Sequence, residues 1–364
     1  MKKVMVVVGT RPNFIKITQF EKEFEAHPSG FKYTLVHTGQ HYDDNMSKIF
    51  FEQFQLKKPD YFLEIQGLTP SAQIGKIIYS LDEIVKEVQP DIIMVPGDVN
   101  STLAVAIVAN KNGIKLGHIE SGLRSCDREM PEEINRILTD EITDHFFITE
   151  PSGLENLKKE GKNPQKLHYV GNTMIDTIVG FDEDIQNSPV LEKLNIQEDF
   201  ALMTMHRPRN VDTVDQLKKL VAIVDYLTEK IKVVLPLHPR TKNRLESNGM
   251  LAALQNNSNL VLTGALDYLS FQKLISTSKF VITDSGGIQE ETTFRQVPCL
   301  TLRNNTERPV TLTEGSNVLV KYEVEDVVKY VNEIFAGTYK KGKIPQYWDG
   351  RATERIVEVL DKII

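Results

Sequence analysis

The sequence predicts an α/β protein built from two doubly wound domains, each a parallel sheet covered by helices on both faces. Three observations carry that expectation. Short runs rich in valine and isoleucine alternate with longer helical patterns, as strand–helix–strand crossovers require. The alternation stops at a polar, weakly periodic stretch at 182–198 and then restarts. At 364 residues the chain also exceeds what one hydrophobic core usually organises.

In the first half the predicted strands are 3–8 (KVMVVV), 33–38 (YTLVHT), 91–96 (DIIMVP), 115–119 (KLGHI) and 145–149 (HFFIT). Between them, 71–89 places Ile74, Ile77, Ile78, Leu81, Ile84, Val85 and Val88 at helical spacing. In the second half the strands are 200–206 (FALMTMH), 232–238 (KVVLPLH), 259–264 (NLVLTG), 279–284 (KFVITD) and 299–302 (CLTL). A last helix at 351–363, carrying Ile356, Val357, Val359, Leu360 and Ile363, is expected to pack back on the first half. The expected domains are therefore 1–173 with 351–364, and 174–350, and tandem doubly wound domains place a ligand in a central cleft beyond the carboxyl ends of the strands.

Composition narrows the function. Hydrophobic residues make up 40% and charged residues 26%, an ordinary globular mix. The formal net charge of −7 argues against a general nucleic-acid binder, which would show a basic face. The two cysteines, Cys126 and Cys299, lie far apart without metal-ligand spacing, which fits a reducing cytoplasm. The opening MKKVMVVVGTRP has too short an apolar run for a signal peptide and reads as a first buried strand. No apolar run reaches the roughly eighteen residues of a membrane span.

The unusual polar residues gather just past the predicted strand ends: GTRPNFIK, TGQH, GDVNST, HIESGLR, MHRPRN, LHPRT, TDSGGIQEE and RNNTERP. In GTRPNFIK, Arg11 and Lys16 have the chemistry to meet a phosphate at a helix start, though the same residues also describe a plain turn with solvated cations. Ser285, Gly286 and Gly287 sit where a strand meets a helix, and missing side chains let backbone N–H groups approach a diphosphate. Glu291, one turn after Gly287, is placed to accept from ribose hydroxyls, or is an ordinary acid near a helix start.

Asp98, Glu120 and Glu132, with Glu133 competing for the last position, supply acid–base groups whose tuning needs burial. The plainer readings are a helix cap for Asp98 and first-turn charge after Pro131 for Glu132 or Glu133. Glu120 has the weakest plain account, because a buried strand leads straight into it. His206 and His238 each end a strand beside Arg207 and Arg240, a pairing suited to an anionic leaving group or to structure alone. His118 is expected to pack away from Glu120, and Gln40 and His41 to line the cleft. No HExxH or comparable zinc pattern is present.

Taken in order, GTRP with IK, TGQH, GD with ST, HIESGLR, PEE-x-NR, GNTMID (171–176), HR, TDSGGIQEE and TERP (306–309) closely resemble the non-hydrolysing UDP-N-acetylglucosamine 2-epimerases over nearly the whole chain. The resemblance implies a GT-B architecture of two Rossmann-like domains, a homodimer, a UDP-sugar as the partner, and no metal or nicotinamide cofactor. It implies reversible interconversion of UDP-N-acetylglucosamine and UDP-N-acetylmannosamine, serving cell-surface polysaccharide synthesis. The C2 proton is lost together with UDP from C1, giving a 2-acetamidoglucal, and UDP re-adds as a proton reaches C2 from the opposite face. By position, Asp98, Glu120, Glu132 and His206 match the catalytic set. Arg11, Lys16, His238, Ser285, Gly286, Gly287, Glu291 and Arg308 match the UDP-holding set, with Phe271 near the uracil.

Two positions depart from the pattern. Asn13 replaces the usual acid, a form also found in relatives acting on diacetamido uronic acids or 6-deoxy sugars, which leaves the exact sugar open. Asp43 replaces a glutamine near the segment that binds an activating second substrate molecule. A GT-B glycosyltransferase, a hydrolysing epimerase and a non-catalytic UDP-sugar sensor are the competing classes. The spread carboxylates argue against the first, and a sensor has no reason to keep Glu120 and His206.

Overall fold

The computed structural model describes residues 1–40, 51 and 53–364; His41 and Asp43 lie outside the described residues. The chain divides into two compact units, Met1–Gly180 with Gln346–Ile364, and Phe181–Pro345.

The first unit is built on a seven-stranded sheet in the order β3-β2-β1-β4-β5-β6-β7. Its strands are β1 (Lys2–Val8), β2 (Phe31–His37), β3 (Tyr61–Phe62), β4 (Ile92–Pro96), β5 (Lys115–Ile119), β6 (His145–Ile148) and β7 (Leu167–Tyr169). Every pairing is parallel. Val4 to Val8 are all buried, as a central strand covered on both faces demands, and β-branched side chains suit that pleated setting. The helix Pro70–Val88 starts on Thr69, whose hydroxyl accepts from Ala72 N, and buries Ile77, Leu81 and Val85. Those three lie on one face at helical spacing and join the core with Met5, Ile93 and Val95.

The last helix, Ala352–Ile363, belongs to this unit. Asp176 accepts from Ala352 N at 3.0 Å and Thr353 N at 2.5 Å, satisfying donors that a helix start leaves unpaired. Lys2 Nζ reaches Asp361 Oδ1 at 2.6 Å. Thr177 bonds Ile15 O and Thr18. These bonds carry the first unit through the helix Thr173–Gly180, so the division falls at Gly180 rather than at 173.

The second unit carries a six-stranded parallel sheet in the order β10-β9-β8-β11-β12-β13. These are β8 (Phe200–Thr204), β9 (Lys232–Pro236), β10 (Leu260–Thr263), β11 (Phe280–Thr283), β12 (Cys299–Thr301) and β13 (Asn317–Leu319). The polar stretch after residue 181 forms two short helices, Asp182–Gln186 and Val190–Lys193. Val190 and Ile196 sink into a core with Leu202, Leu274 and Val281, so the stretch is part of the second unit instead of a free connector. No helix among the described residues is long and apolar enough to cross a membrane.

In both sheets the chain winds one way and then the other. The reversal lies between β1 and β4 in the first and between β8 and β11 in the second. Loops leaving the two central strands diverge there, and ligands of open parallel sheets bind at such points.

The sole tryptophan of the sequence, Trp348, is 1% exposed and donates its indole N–H to Thr149 O at 2.9 Å. Trp348→Ala is expected to destabilise the first unit by about 3–5 kcal/mol. Urea unfolding followed by circular dichroism measures it, and an unchanged midpoint would contradict this packing role.

Candidate active site

At the first reversal, Asn13 joins the two strand ends. Its Oδ1 accepts from Gly9 N, Thr10 N and the Thr10 hydroxyl, each at 3.1 Å, and its Nδ2 donates to Pro96 O at 3.0 Å. The side chain is 2% exposed. The Gly9–Thr10 turn after β1 is thereby tied to the end of β4, which leads into Gly97 and Asp98.

Gly97 has a φ of +74°, and a Cβ there would stand 3.0 Å from Lys16 Nζ, 3.4 Å from Asn13 Nδ2 and 4.0 Å from Glu120 Oε2. Only glycine takes that backbone freely and lets these side chains close over it. Lys16 Nζ and Glu120 Oε2 form an ion pair, both side chains less than 10% exposed. Glu120 itself has a φ of +71°, which costs a residue bearing a Cβ about 1–3 kcal/mol. The strand alternation therefore ends at Ile119 and does not fix which way Glu120 faces.

Asp98 is not the helix cap. The helix Asn100–Lys111 has Val99 at that position, while the Asp98 carboxylate accepts from Arg136 Nη2 at 2.5 Å. Arg136 is also paired with Glu133, and Glu133 accepts from Ser125 N at 2.9 Å and Cys126 N at 3.0 Å. Of the two acids after Pro131, Glu133 is thus buried and committed to this brace, while Glu132 is exposed in the same first turn. Asn135 holds Asp98 O at 3.0 Å.

Beneath these loops His118, fully buried, spans Asp140 Oδ1 at 2.6 Å and Gly97 O at 2.7 Å. Asp140 also takes Gly122 N at 3.0 Å and Arg124 Nη1 at 2.7 Å. Burial would push the Asp140 carboxyl up, yet His118 and Arg124 beside it hold it below the usual carboxylate range. The network pins the chain on both sides of Glu120. Gln40 is spent on the neighbouring helix, its Oε1 accepting from Ser101 N at 2.9 Å and Ser101 Oγ at 2.8 Å. Arg11, half-buried, opens the short helix Arg11–Ile15.

At the second reversal the fully buried Asp284 accepts from Arg207 N at 2.8 Å, His206 N at 3.1 Å and Asn210 Nδ2 at 3.1 Å. The His206 ring lies 5.6 Å from that of His238. His238 accepts from Arg240 N through Nδ1 at 3.1 Å, which leaves Nε2–H as its outward donor. Burial, and then the neighbouring His206 and Arg240, lower its pKa.

Ser285 and Gly286 follow, and Gly286 caps the helix Gly287–Arg295. A Cβ on Gly286 would lie 2.8 Å from Arg308 Nη1 and 2.9 Å from Glu307 Oε1. Arg308 thus rests on the turn, ion-paired with Glu290 Oε2 at 2.7 Å and with Glu307. Glu307 also receives Arg303 Nη2 at 2.8 Å. Burial opposes its ionisation, but Arg308 and Arg303 hold its carboxyl far below the usual range. Glu291 is buried in the same helix, and Phe271 packs partly buried against the Leu202–Leu274 core.

Sequence reasoning missed Asp284, Arg136, Asp140, Arg303 and Glu307 as parts of these clusters. Asp284 had a signal, as an acid closing a buried strand directly before a glycine turn. The others had none, since their partners are set by packing.

The sequence profile of the UDP-N-acetylglucosamine 2-epimerase family matches residues 22–361. A UDP-N-acetylglucosamine 2-epimerase from Methanococcus maripaludis is 38% identical over 371 residues, covering 99% of this chain and 98% of that protein. A UDP-2,3-diacetamido-2,3-dideoxy-D-glucuronate 2-epimerase from Pseudomonas aeruginosa is 37% identical over 365 residues, covering 99% of this chain and 100% of that protein. The crystal structure of Methanocaldococcus jannaschii UDP-GlcNAc 2-epimerase in complex with UDP-GlcNAc and UDP has a TM-score of 0.89 at 37% identity, covering 99% of each chain.

Glu307→Gln leaves Arg303 and Arg308 buried without their shared anion and is expected to cost about 3–5 kcal/mol at neutral pH. Because the folded-state pKa is depressed, this contribution is complete above the ordinary value of 4.5 and is lost as pH falls below it. The variant should therefore show a shallower acid limb in stability against pH. Parallel limbs for the two proteins would refute the assignment.

Proposed function

The chain belongs to the UDP-N-acetylglucosamine 2-epimerase family, and from that premise we propose that it interconverts UDP-N-acetylglucosamine and UDP-N-acetylmannosamine. The carboxylates lie in the first unit with Arg11 and Lys16, and His206, His238 and the Ser285–Gly287 turn lie in the second. The reading is carried by one observation: Glu120, Lys16 and the Gly97–Asp98 turn converge at the reversal of the first sheet.

The chemistry asks for that arrangement. The C2 hydrogen has no adjacent carbonyl, so its removal alone is very unfavourable. Coupled to cleavage of the C1–O bond, it leaves a neutral 2-acetamidoglucal, and the bonding electrons depart with UDP. Re-addition of UDP at C1 with protonation at C2 from the other face gives the epimer. Asp98, Glu120 and Glu132 are the carboxylates for the two faces, with His206 as a further acid–base group. A carboxylate with a cation against it costs less to bury, as Lys16 does for Glu120. The leaving diphosphate needs fixed donors: Arg11, His238, the Ser285–Gly286–Gly287 backbone and Arg308. Glu291 and Phe271 are assigned to the nucleoside.

The Pseudomonas aeruginosa relative favours a second reading, a C2 epimerase of a diacetamido uronic acid carried by UDP. Asn13 is buried and bonded to Gly9, Thr10 and Pro96, so a direct role in choosing the sugar is not assigned to it.

Incubation with a panel of UDP-N-acetyl sugars, followed by proton NMR, decides between them. UDP-N-acetylglucosamine should yield its C2 epimer, and in deuterated water both epimers should lose their H2 signal. Retained protium at C2 rules out the elimination. Turnover of the diacetamido uronate alone establishes the second reading. Glu120→Gln should lower kcat by about 100- to 10,000-fold while UDP still binds by calorimetry, and wild-type turnover would remove Glu120 from the mechanism.

A further inference from the structure

We propose that Asp284 is a positioning residue that keeps the proton of His206 on Nδ1 and so leaves Nε2 as the basic atom of the ring. Asp284 closes β11 with no exposure, whereas the His206 side chain is 40% exposed. Three donors other than the ring converge on the carboxylate: His206 N, Arg207 N and Asn210 Nδ2. The fourth contact is His206 Nδ1, 2.8 Å from Oδ1.

The donor inventory settles the direction of that contact. Burial disfavours the charged carboxyl, but the His206 contact and the Arg207 and Asn210 donors hold it below the usual range. An ionised carboxylate only accepts, so the ring nitrogen facing it must be the one that carries hydrogen. Main chain and ring of His206 are anchored on the same carboxylate, which fixes the ring's orientation as well as its tautomer. In the neighbouring His238 the Nδ1 atom is engaged by Arg240 N.

The kinetic consequence rests on the reading of His206 as an acid–base group. Nε2 takes up a proton and returns it, and the imidazolium formed between is stabilised by Asp284 without the proton passing to the carboxylate. Asp284 is assigned no direct part in the bond changes. On this reading its effect on proton transfer passes through His206.

Asp284→Asn tests this with little change in shape. The asparagine oxygen can retain the donors from His206 N, Arg207 N and Asn210, while its NH₂ faces His206 Nδ1 and turns that nitrogen into an acceptor. Histidine 15N NMR should show the Nδ1–H tautomer in the wild type and the Nε2–H tautomer in the variant. The variant should lose about 10⁴-fold in kcat with UDP binding retained, and adding Asp284→Asn to His206→Ala should cause no further loss. An Nε2–H tautomer in the wild type overturns the assignment, and that measurement needs no variant to fold. Wild-type turnover of Asp284→Asn alongside an inactive His206→Ala overturns the positioning role. Full turnover of His206→Ala instead refutes the acid–base reading of His206, and the wild-type tautomer still decides what Asp284 does.

Discussion

Both sheets depend on one device: where the strand order reverses, a single buried polar side chain stitches the loops of two diverging strands together. Asn13 does this between β1 and β4, and Asp284 between β8 and β11. Loops that leave adjacent strands in opposite directions cannot continue each other's backbone pairing, so their N–H and C=O groups need other partners. A side chain with several acceptor positions meets that need within a few ångströms. The same stitch fixes the loops on either side of it, those carrying Asp98 in one unit and those carrying His206 and the glycine turn in the other.

Charge is handled by alternation. Asp98, Arg136 and Glu133 form one run of opposite signs, and Glu290, Arg308, Glu307 and Arg303 form another. Burying any one of these groups alone would cost several kcal/mol or more. In a chain of alternating partners each group is compensated, but none can be removed cheaply. Such runs hold side chains in one geometry.

Local backbone strain is placed where the acids are. Glu120 sits at positive φ directly after a buried strand, held by Glu120 N bonding Phe147 O at 3.0 Å and by the Asp140 bond to Gly122 N. Gly97 and Gly286 do the complementary work, admitting Lys16 and Arg308 where any Cβ would intrude.

Most of the architecture is local and could be read along the chain. Valine-rich runs, the helical spacing of Ile77, Leu81 and Val85, and polar residues at strand ends all depend on neighbours within a few positions. The strands left unread, β3, β7 and β13, are two or three residues long at or near sheet edges, too short to show a period. Asp98 and Glu120 drew notice as candidates for the same reason, because a carboxylate just past an apolar strand stands out by itself. Their partners did not. Arg136 meets Asp98 across 38 positions, and Arg207 meets Asp284 across 77. Nothing in a window of sequence encodes such distances. They exist because parallel pairing brings remote strand ends side by side, and there burial forces every charge to find a partner.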